Sequence, residues 1–278
     1  KQTKTDGIRR YSKIWILRIL NNMTALITGA SAGIGKELAV EFAKDKNDLI
    51  LVARREASML AHAAKLQTKY AIKLTVIALD LSNPNSANEL YAKVKSLRLQ
   101  VNTLVNTAGF GDSGEFVDSD LQKQEDMINL NILTLTKLTH LFGADMKARK
   151  SGSIMNVAST ASFQPGPIMA VYFATKHYVL AFSEAIAEEL RPYNVYVSAL
   201  CPGPTQTEFG EVAGFGKIVP SDSSPFPKAD KVAKFGYAQM KKKRVVFVHG
   251  FKNALQAKLV RFIPRSVVRK VTHAIMKN

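Results

Sequence analysis

A tyrosine and a lysine one helical turn apart are the residues whose types and spacing most directly suggest chemistry. Tyr172 and Lys176 stand four positions apart in a segment of helical character, which places both side chains on one helix face. A free tyrosine is a weak acid at neutral pH because the pKa of its phenol is about 10. A nearby cation favours the phenolate and lowers that pKa. The pair therefore predicts a tunable proton donor.

A glycine-rich turn near the start of the chain predicts a nucleotide site. Residues 26–35 read LITGASAGIG, which is an apolar strand, a turn with Gly29, Gly33 and Gly35, and a helix start. Glycine allows close backbone approach, and a helix N-terminus suits the charge of a pyrophosphate. The spacing is G-x-x-x-G-x-G and not the common G-x-G-x-x-G, yet the strand–turn–helix order indicates the same use. A plain tight turn is the structural alternative.

These motifs together resemble a known protein family. The segments TGASAGIG at 28–35 and NTAG at 106–109, the residues Asn131, Ser159, Tyr172 and Lys176, and the pair Pro202-Gly203 occur in the order and spacing of the short-chain dehydrogenase/reductase family. The resemblance covers about residues 24–207, and it extends to NADP-preferring ketosteroid and 3-ketoacyl reductase-like members. It implies a Rossmann-type fold and a nicotinamide cofactor, and it is poorly specific for substrate.

The resemblance implies a catalytic tetrad of Asn131, Ser159, Tyr172 and Lys176. Tyr172 would donate a proton to the developing alkoxide, and Lys176 would lower the pKa of Tyr172 and bind the nicotinamide ribose. Ser159 would hold the substrate oxygen and stabilise charge there. Asn131 would hold a water that links Lys176 to solvent. Taken singly, a serine after a strand more often caps a turn, and a helix asparagine is more often solvated.

NADP(H) is the predicted cofactor because of the residues that follow the second strand. Ala53 stands where NAD-preferring folds carry an acid for the ribose 2′-hydroxyl, and Arg54 and Arg55 come next. A guanidinium offers several planar donors to a 2′-phosphate, whereas two plain surface arginines are the alternative. Ala32 departs from relatives that carry another basic residue in the glycine turn. The predicted cofactor-binding residues are Gly29, Ser31, Ala32, Gly33, Ile34, Gly35, Arg54, Arg55, Asp80, Leu81, Asn106, Ala108, Gly109, Tyr172, Lys176, Pro202, Gly203, Thr205 and Thr207.

The predicted reaction is reduction of a ketone or aldehyde carbonyl in an apolar or acyl-type substrate. The predicted lining residues are Ser159, Phe163, Met169, Tyr172 and Phe209. Residues 204–228 are rich in Gly, Pro, Ser and Thr and have the composition of a mobile lid with apolar contacts. Two other functions stay open: an NAD(P)-dependent alcohol or hydroxysteroid dehydrogenase working oxidatively, and a nucleotide-binding sensor that docks to a membrane surface.

Alternating strands and helices are required to position these residues. Strand-like runs lie at 25–28, 48–53, 73–79, 103–106, 152–158, 195–201 and 243–248, with helical segments between them. This alternation predicts an α/β fold with a Rossmann-type, doubly wound parallel sheet of about seven strands and helices on both faces. We expect residues 23–228, including the lid, to form the catalytic domain and residues 229–278 to complete it.

Positive charge is concentrated at the two ends of the chain. The net charge is +17, with six Lys or Arg and one Asp in residues 1–20 and thirteen Lys or Arg without Asp or Glu in residues 231–278. Such ends suit a membrane surface, an acidic carrier or a phosphorylated substrate, or simply a solvated surface. No zinc-finger, helix-turn-helix or RNA-reading motif occurs, so nucleic-acid binding is not predicted. The five histidines lack metal-ligand spacing, so no metal is predicted either.

Residues 1–22 mix apolar and basic side chains ahead of the first strand. They fit an interfacial helix, an extra helix packed on the body, or a non-native segment before Met23. The single Cys201 excludes an intrachain disulfide and suits a reducing compartment. We expect a cytoplasmic protein, compatible with peripheral membrane contact, that forms a homodimer or homotetramer.

Overall fold

A computed structural model describes residues 23–214 and 225–277, which build one parallel sheet flanked by helices. The sheet has seven strands in the order β3-β2-β1-β4-β5-β6-β7, and every pairing is parallel. The strands are β1 Thr24–Thr28, β2 Asp48–Ala53, β3 Leu74–Ala78, β4 Thr103–Asn106, β5 Gly152–Val157, β6 Val195–Cys201 and β7 Val246–Val248. The predicted seven-stranded, doubly wound α/β fold is therefore confirmed.

The helices of the described residues lie on both faces of this sheet. They are α1 Gly33–Lys44, α2 Glu56–Tyr70, α3 Ser86–Ser96, α4 Leu121–Ile128, α5 Leu135–Ala148, α6 Ala170–Leu190, α7 Phe209–Val212, α8 Ala229–Lys241, α9 Phe251–Leu259 and α10 Arg265–Lys277. A π-helical turn at Asn129–Thr134 joins α4 to α5, and short 3₁₀ turns lie at Phe116–Asp118, Thr160–Phe163, Arg191–Tyr193 and Val260–Phe262.

The central strands are apolar along their length because helices cover both of their faces. Leu26 of β1 faces one layer, where it packs in a cluster with Leu90 of α3 and Phe142 of α5. Its neighbour Ile27 faces the other layer, in a cluster with Phe42 of α1. Successive side chains of a strand point to opposite faces, so a parallel strand buried on both sides reads as a continuous hydrophobic run.

The order of the strands creates the crevice that the candidate site uses. The chain leaves β1 towards β2 and β3 on one side, then crosses back to place β4 on the other side of β1. Connections on the two sides of this switch point diverge at the carboxyl ends of the strands. Ligands of open α/β sheets bind in the crevice that this divergence leaves.

The C-terminal elements are part of the same core. β7 pairs with Ala199, Leu200 and Cys201 of β6, and the ring of Tyr237 on α8 lies 4.7 Å from that of Phe42 on α1. β7 is shorter than predicted and begins at Val246, after Lys243 adopts a left-handed backbone conformation with φ of 56°. No helix within the described ranges combines the length and apolar composition needed to cross a bilayer. The predictions for residues 1–22 and for the lid segment 215–224 fall outside the described residues.

Candidate active site

Three predicted catalytic side chains meet at the carboxyl end of β5. Ser159 follows this strand, and its hydroxyl accepts a hydrogen bond from the Ala161 amide at 3.1 Å and pairs with the Tyr172 phenol. Lys176 lies one turn beyond Tyr172 on α6, and its Nζ donates to the Val157 carbonyl at 2.9 Å. That Nζ is 5.8 Å from the centre of the Tyr172 ring. A proton donor, a second hydroxyl and a cation therefore share one site.

Burial sets the acidity of this group. It raises the pKa of Tyr172 to about 12, although the hydrogen bond with Ser159 opposes the shift. It lowers the pKa of Lys176 to about 8, with nearby Cys201 opposing. The pKa of Tyr172 was expected to be lowered by Lys176, but desolvation of the phenolate dominates and the opposing group is Ser159. Tyr172 keeps its proton at neutral pH, as a proton donor must.

Asn131 is held by the π-helical turn between α4 and α5. Its Oδ1 accepts from the Phe110 amide at 3.2 Å, and its Nδ2 donates to the Phe110 carbonyl at 3.0 Å and to Thr175 Oγ1 at 3.1 Å. A Cβ added to Gly109 would lie 2.8 Å from Asn131 Oδ1 and 3.6 Å from Lys176 Nζ, so the asparagine and the lysine flank the same glycine. The water link between them stays a prediction. π-Helical turns are frequent at functional sites.

The glycine turn packs so closely against neighbouring backbone that side chains would not fit at two of its positions. Gly29 has φ of 66°, and a Cβ there would lie 2.9 Å from the Cα of Ala108. A Cβ on Gly35 would lie 2.5 Å from the Gly29 carbonyl oxygen. Helix α1 starts at Gly33, so the amides of its first turn lie at this loop and are the donors that a pyrophosphate uses.

The NTAG segment after β4 forms the opposite wall of the crevice. Thr28 Oγ1 accepts from the amides of Thr107 at 3.0 Å and Ala108 at 3.1 Å, which fixes this loop against β1. Asn106 donates to Asn156 Oδ1 at 2.9 Å inside the sheet, so its visible role is structural. The buried Thr107 hydroxyl has no partner among the described residues. An orphaned buried hydroxyl beside the glycine cradle fits a polar ligand such as a dinucleotide.

The residues after β2 and β3 present charge at the adenosine end of the crevice. Asp80 accepts from the Ser82 amide at 3.0 Å and lies 3.9 Å from Arg54. Burial alone would raise the pKa of Asp80, but these donors hold that pKa below its ordinary value. Arg55 donates to Ser31 Oγ at 3.3 Å. Two guanidinium groups thus border the position where a 2′-phosphate is predicted, with about half or more of each side chain exposed.

The segment after β6 closes over the glycine turn. Thr205 donates to the Gly203 carbonyl at 2.9 Å, and Thr207 accepts from the Phe209 amide at 3.2 Å, which supports the start of α7. A Cβ on Gly33 would lie 3.1 Å from Thr207 Cγ2. The predicted cofactor residues of this segment are therefore brought to the predicted cofactor loop.

The predicted substrate residues separate into two places. Met169, Tyr172 and Phe209 converge, with the Tyr172 and Phe209 rings 5.2 Å apart. A Cβ on Gly111 would lie 2.8 Å from Phe209 and 3.0 Å from Met169. Phe163 instead packs against a cluster that contains Leu135, Val179 and Leu180, so the structure does not bring it to the other three. Its neighbour Ser162 donates to the Lys176 carbonyl at 2.6 Å, which ties this 3₁₀ turn to α6.

Several residues that support the site were missed by sequence reasoning. Thr28 binds the amide of Ala108, and Thr175 accepts a hydrogen bond from Asn131. Glu208 pairs with Arg55 at 2.8 Å. Met276 of α10 packs against the same cluster as Tyr172 and Phe209. A signal existed for Thr175, which lies on the helix face of Tyr172 and Lys176. The contacts of Glu208 and Met276 join distant parts of the chain, and spacing does not reveal them.

Other reactive groups of the described residues do not assemble into a second centre. No three His, Cys, Asp or Glu side chains of these residues cluster with metal-binding geometry. Burial raises the pKa of the Cys201 thiol to about 12, which keeps this thiol protonated and unreactive.

Comparison with known proteins agrees with this geometry. A profile described as short chain dehydrogenase matches residues 23–214. A very-long-chain 3-oxoacyl-CoA reductase of Pyrenophora tritici-repentis is 32% identical over 71% of this chain and 59% of its own length. The human protein of the same name is 30% identical over 68% of this chain and 61% of its own length. The chain thus spans about three fifths of the length of these curated relatives.

A solved structure supports the same family assignment. A short-chain dehydrogenase from Sphingobium yanoikuyae in complex with NADPH superposes with a TM-score of 0.77 at 28% identity, covering 88% of this chain and 97% of that one. The predicted resemblance to this family is confirmed. This chain belongs to the short-chain dehydrogenase family.

Proposed function

We propose that this chain is an NADPH-dependent reductase that converts the carbonyl of an acyl-type substrate, such as a 3-oxoacyl thioester, into an alcohol. One observation carries the proposal: the hydroxyl of Ser159, the protonated phenol of Tyr172 and the ammonium of Lys176 share the carboxyl end of β5. A phenol whose pKa is about 12 retains its proton until a stronger base forms beside it. An alkoxide is such a base.

The side chains divide the reaction between them. The bound cofactor supplies the hydride. Ser159 donates a hydrogen bond to the substrate oxygen and stabilises the charge that develops there. Tyr172 transfers its proton to that oxygen. Lys176 stabilises the phenolate that remains, because a cation in a poorly solvated site interacts strongly with an anion.

The residues present fit NADPH. The amides of the first turn of α1 would bind the pyrophosphate, and Gly29 and Gly35 allow the tight turn that aims them at the crevice. Arg54 and Arg55 would bind the 2′-phosphate, since no acid stands at Ala53 to favour a 2′-hydroxyl. The solved structure of the relative from Sphingobium yanoikuyae is a complex with NADPH, which supports this preference.

An apolar chain on the substrate suits the surroundings of Tyr172. Met169 and Phe209 pack beside Tyr172, and Met276 packs against the same cluster, so a substrate tail would replace contacts among apolar side chains. The name of the two curated relatives supports a long 3-oxoacyl thioester. Phe209 must then move, because its ring lies against Tyr172 where the carbonyl has to bind. A cytoplasmic location and a homodimeric or homotetrameric assembly stay predictions.

Fluorescence titration with NADPH and NADH, followed by turnover of 3-oxoacyl thioesters of increasing chain length, tests the proposal. We expect tighter binding of NADPH and a kcat/KM that rises with chain length. Tyr172→Phe should abolish turnover and leave NADPH binding intact. Tyr178→Phe is the matched control, because this tyrosine lies on the same helix but outside the site. Its hydroxyl is hydrogen-bonded to Thr136 Oγ1 at 2.8 Å. Failure to bind either nucleotide would overturn the proposal.

A further inference from the structure

The C-terminal helices expose apolar side chains where a water-soluble surface would carry polar ones. Phe251 and Phe262 are 83% and 85% exposed. The other exposed apolar residues of this region are Leu255, Leu259, Ile263, Val267, Val271 and Ile275. We call these eight residues the C-terminal apolar face. Clustered exposed apolar residues usually mark an interaction site, whereas isolated ones need no explanation.

The spacing of these residues shows that each helix presents a stripe. Phe251, Leu255 and Leu259 recur every four residues along α9, and Val267, Val271 and Ile275 do the same along α10. Residues four apart lie on one side of an α-helix. The stripes are therefore ordered surfaces and not scattered side chains.

Helix α10 has a wide apolar side of which the protein covers only part. Val268 and Thr272 are buried, and Met276 packs against the cluster around Tyr172 and Phe209. The neighbouring stripe that begins at Val267 is left uncovered. A helix of a soluble body buries its apolar side, and a helix at a bilayer interface places that side in the lipid.

The charge around the apolar face indicates what covers it. Residues 250–277 contain no Asp or Glu. Their cationic residues are Lys252, Lys258, Arg261, Arg265, Arg269, Lys270 and Lys277. Pairing with a second copy of the same face would bring two sets of cations together, and these would repel each other. Anionic lipid headgroups attract these cations while the acyl region accepts the apolar stripes, and long Lys and Arg side chains reach the headgroups from beside the apolar surface.

We propose that the C-terminal apolar face docks this protein on an anionic membrane surface, with α9 and α10 lying in the interface. The proposed contact is interfacial, and no helix of the described residues is able to span the bilayer. Because Met276 of α10 touches the Tyr172 cluster, docking would bring the substrate site next to the lipid. Entry of an acyl substrate from the bilayer rests on the proposed reaction, whereas docking itself does not.

Co-sedimentation with vesicles tests docking without any need for turnover. The chain would be spun with vesicles of phosphatidylcholine alone and with vesicles that also contain phosphatidylserine, at low and high salt. We expect binding to the anionic vesicles only, weakened by salt. The double variant Arg269→Glu/Lys270→Glu should lose affinity by at least about tenfold, because each cation near an anionic surface contributes to binding.

Charge-matched and hydrophobicity-matched variants make the test specific. Lys65→Glu/Lys69→Glu changes the net charge by the same amount as Arg269→Glu/Lys270→Glu. It does so at exposed positions of α2 and should retain binding. Phe251→Ser/Phe262→Ser should weaken binding, while Val117→Ser, at another exposed apolar position, should not. NADPH titration and thermal unfolding would show that each variant folds.

Three results would overturn the proposal. The first is absence of binding to anionic vesicles at low salt. The second is equal loss in the α2 charge variant, which would reduce the effect to net charge. The third is a concentration-dependent dimer in sedimentation velocity that Phe251→Ser/Phe262→Ser dissociates, since the face would then be a contact between copies. Loss of docking with turnover retained would leave the proposed reaction untouched.

Discussion

The chemistry of Tyr172 depends on how its phenol is solvated. Removing the phenolate from water raises the pKa. In this structure burial is the largest influence on the Tyr172 pKa, and the hydrogen bond with Ser159 opposes it. The phenol is therefore protonated at neutral pH, which is the form that reduction requires at its start.

Removing the hydroxyl of Tyr172 should remove the chemical step and little else. Tyr172→Phe is expected to lower kcat/KM by about 10²–10⁴-fold, the usual contribution of a positioned acid. Ser159→Ala should also lower it, because the substrate oxygen loses a donor. Steady-state kinetics beside NADPH titration separates chemistry from binding. A variant that loses NADPH binding in proportion to turnover would contradict these roles.

The pH dependence of reduction should report Lys176. Burial lowers the pKa of this ammonium to about 8, so it is charged below that pH and neutral above it. Tyr172 stays protonated throughout, since its pKa is about 12. We expect kcat/KM to be level below about pH 8 and to fall about tenfold per unit above it. Lys176→Arg should move the fall to higher pH, because a guanidinium keeps its charge. A fall at the same pH in that variant would assign it to another group.

Sequence reasoning reached the residues that carry chemistry because their types are rare in this arrangement. Tyr172 and Lys176 were predicted from their spacing, and Ser159 and Asn131 from the resemblance to the family. The structure brings all four to one end of the sheet. Their detailed roles stay predictions. The pKa of Tyr172 was out of reach because it depends on burial by Met169 and Phe209, side chains that local spacing does not place around the phenol.

At the scale of elements, the glycine turn, the NTAG loop and α7 form three sides of one crevice. Thr28 binds the first two together through the amides of Thr107 and Ala108. Glu208 connects the third to the arginine side through Arg55 at 2.8 Å. The adjoining Phe209 lies on Tyr172. Glu208 and Phe209, which contact Arg55 and Tyr172, are thus consecutive residues.

Neutralising Glu208 should strengthen NADPH binding. The carboxylate occupies the Arg55 guanidinium that a 2′-phosphate would use, and Glu208→Gln removes this competition. Because both side chains are about half exposed, an effect of a few-fold is expected on the NADPH dissociation constant, with NADH unchanged. Fluorescence titration measures both. Glu211→Gln, three residues further along α7, is the control. Equal tightening of NADH would show that the change acts through the loop and not through Arg55.

The bounds of three strands were predictable, whereas turns were not. β2, β4 and β6 span the predicted residues because each is a buried apolar run with a marked end. The π-helical turn at Asn129–Thr134 gave no signal, since its amino acids suit an ordinary helix and Asn131 is held by Phe110 and Thr175 from elsewhere in the chain. The packing of Phe163 with Leu135 and Val179 likewise joins distant parts of the chain, and its role at the substrate stays a prediction.

At the scale of the whole molecule, α8 and β7 contribute side chains to the core, whereas the terminal helix α10 is mostly exposed. Val232, Tyr237 and Phe247 are buried in the cluster that contains Phe42 of α1. Only Val268, Thr272 and Met276 of α10 are withdrawn from solvent. That residues 229–278 complete the catalytic domain stays a prediction.

Two truncations should therefore behave differently. Removal of residues 229–278 exposes the α1 side of the sheet and is expected to abolish cooperative unfolding, because burying large side chains such as Tyr237 and Phe247 contributes several kcal/mol. Removal of residues 265–278 should retain a single transition with a modestly lower Tm. Calorimetry of the two proteins provides the comparison. A cooperative transition in the shorter protein would show that residues 23–228 fold by themselves.

The charge of the chain was visible in the sequence, but its meaning required the fold. Thirteen Lys or Arg without an acid in residues 231–278 were compatible with lipid, an acidic carrier or solvent. The structure separates these residues into α8, which packs on the core, and α9 and α10, which expose apolar stripes beside their cations. Exposure of Phe251 and Phe262 depends on which helix faces the body, and composition does not decide this.

A single-turnover experiment tests the central claim most directly. The protein would be saturated with NADPH, mixed rapidly with a 3-oxoacyl thioester, and followed by the loss of NADPH absorbance, with Tyr172→Phe and Tyr178→Phe in parallel. The account predicts a full-amplitude decay for the unmodified chain and Tyr178→Phe, and a decay slowed by about 10²–10⁴-fold in Tyr172→Phe at equal NADPH saturation. Equal decay rates in all three proteins would contradict the role of Tyr172 as the proton donor.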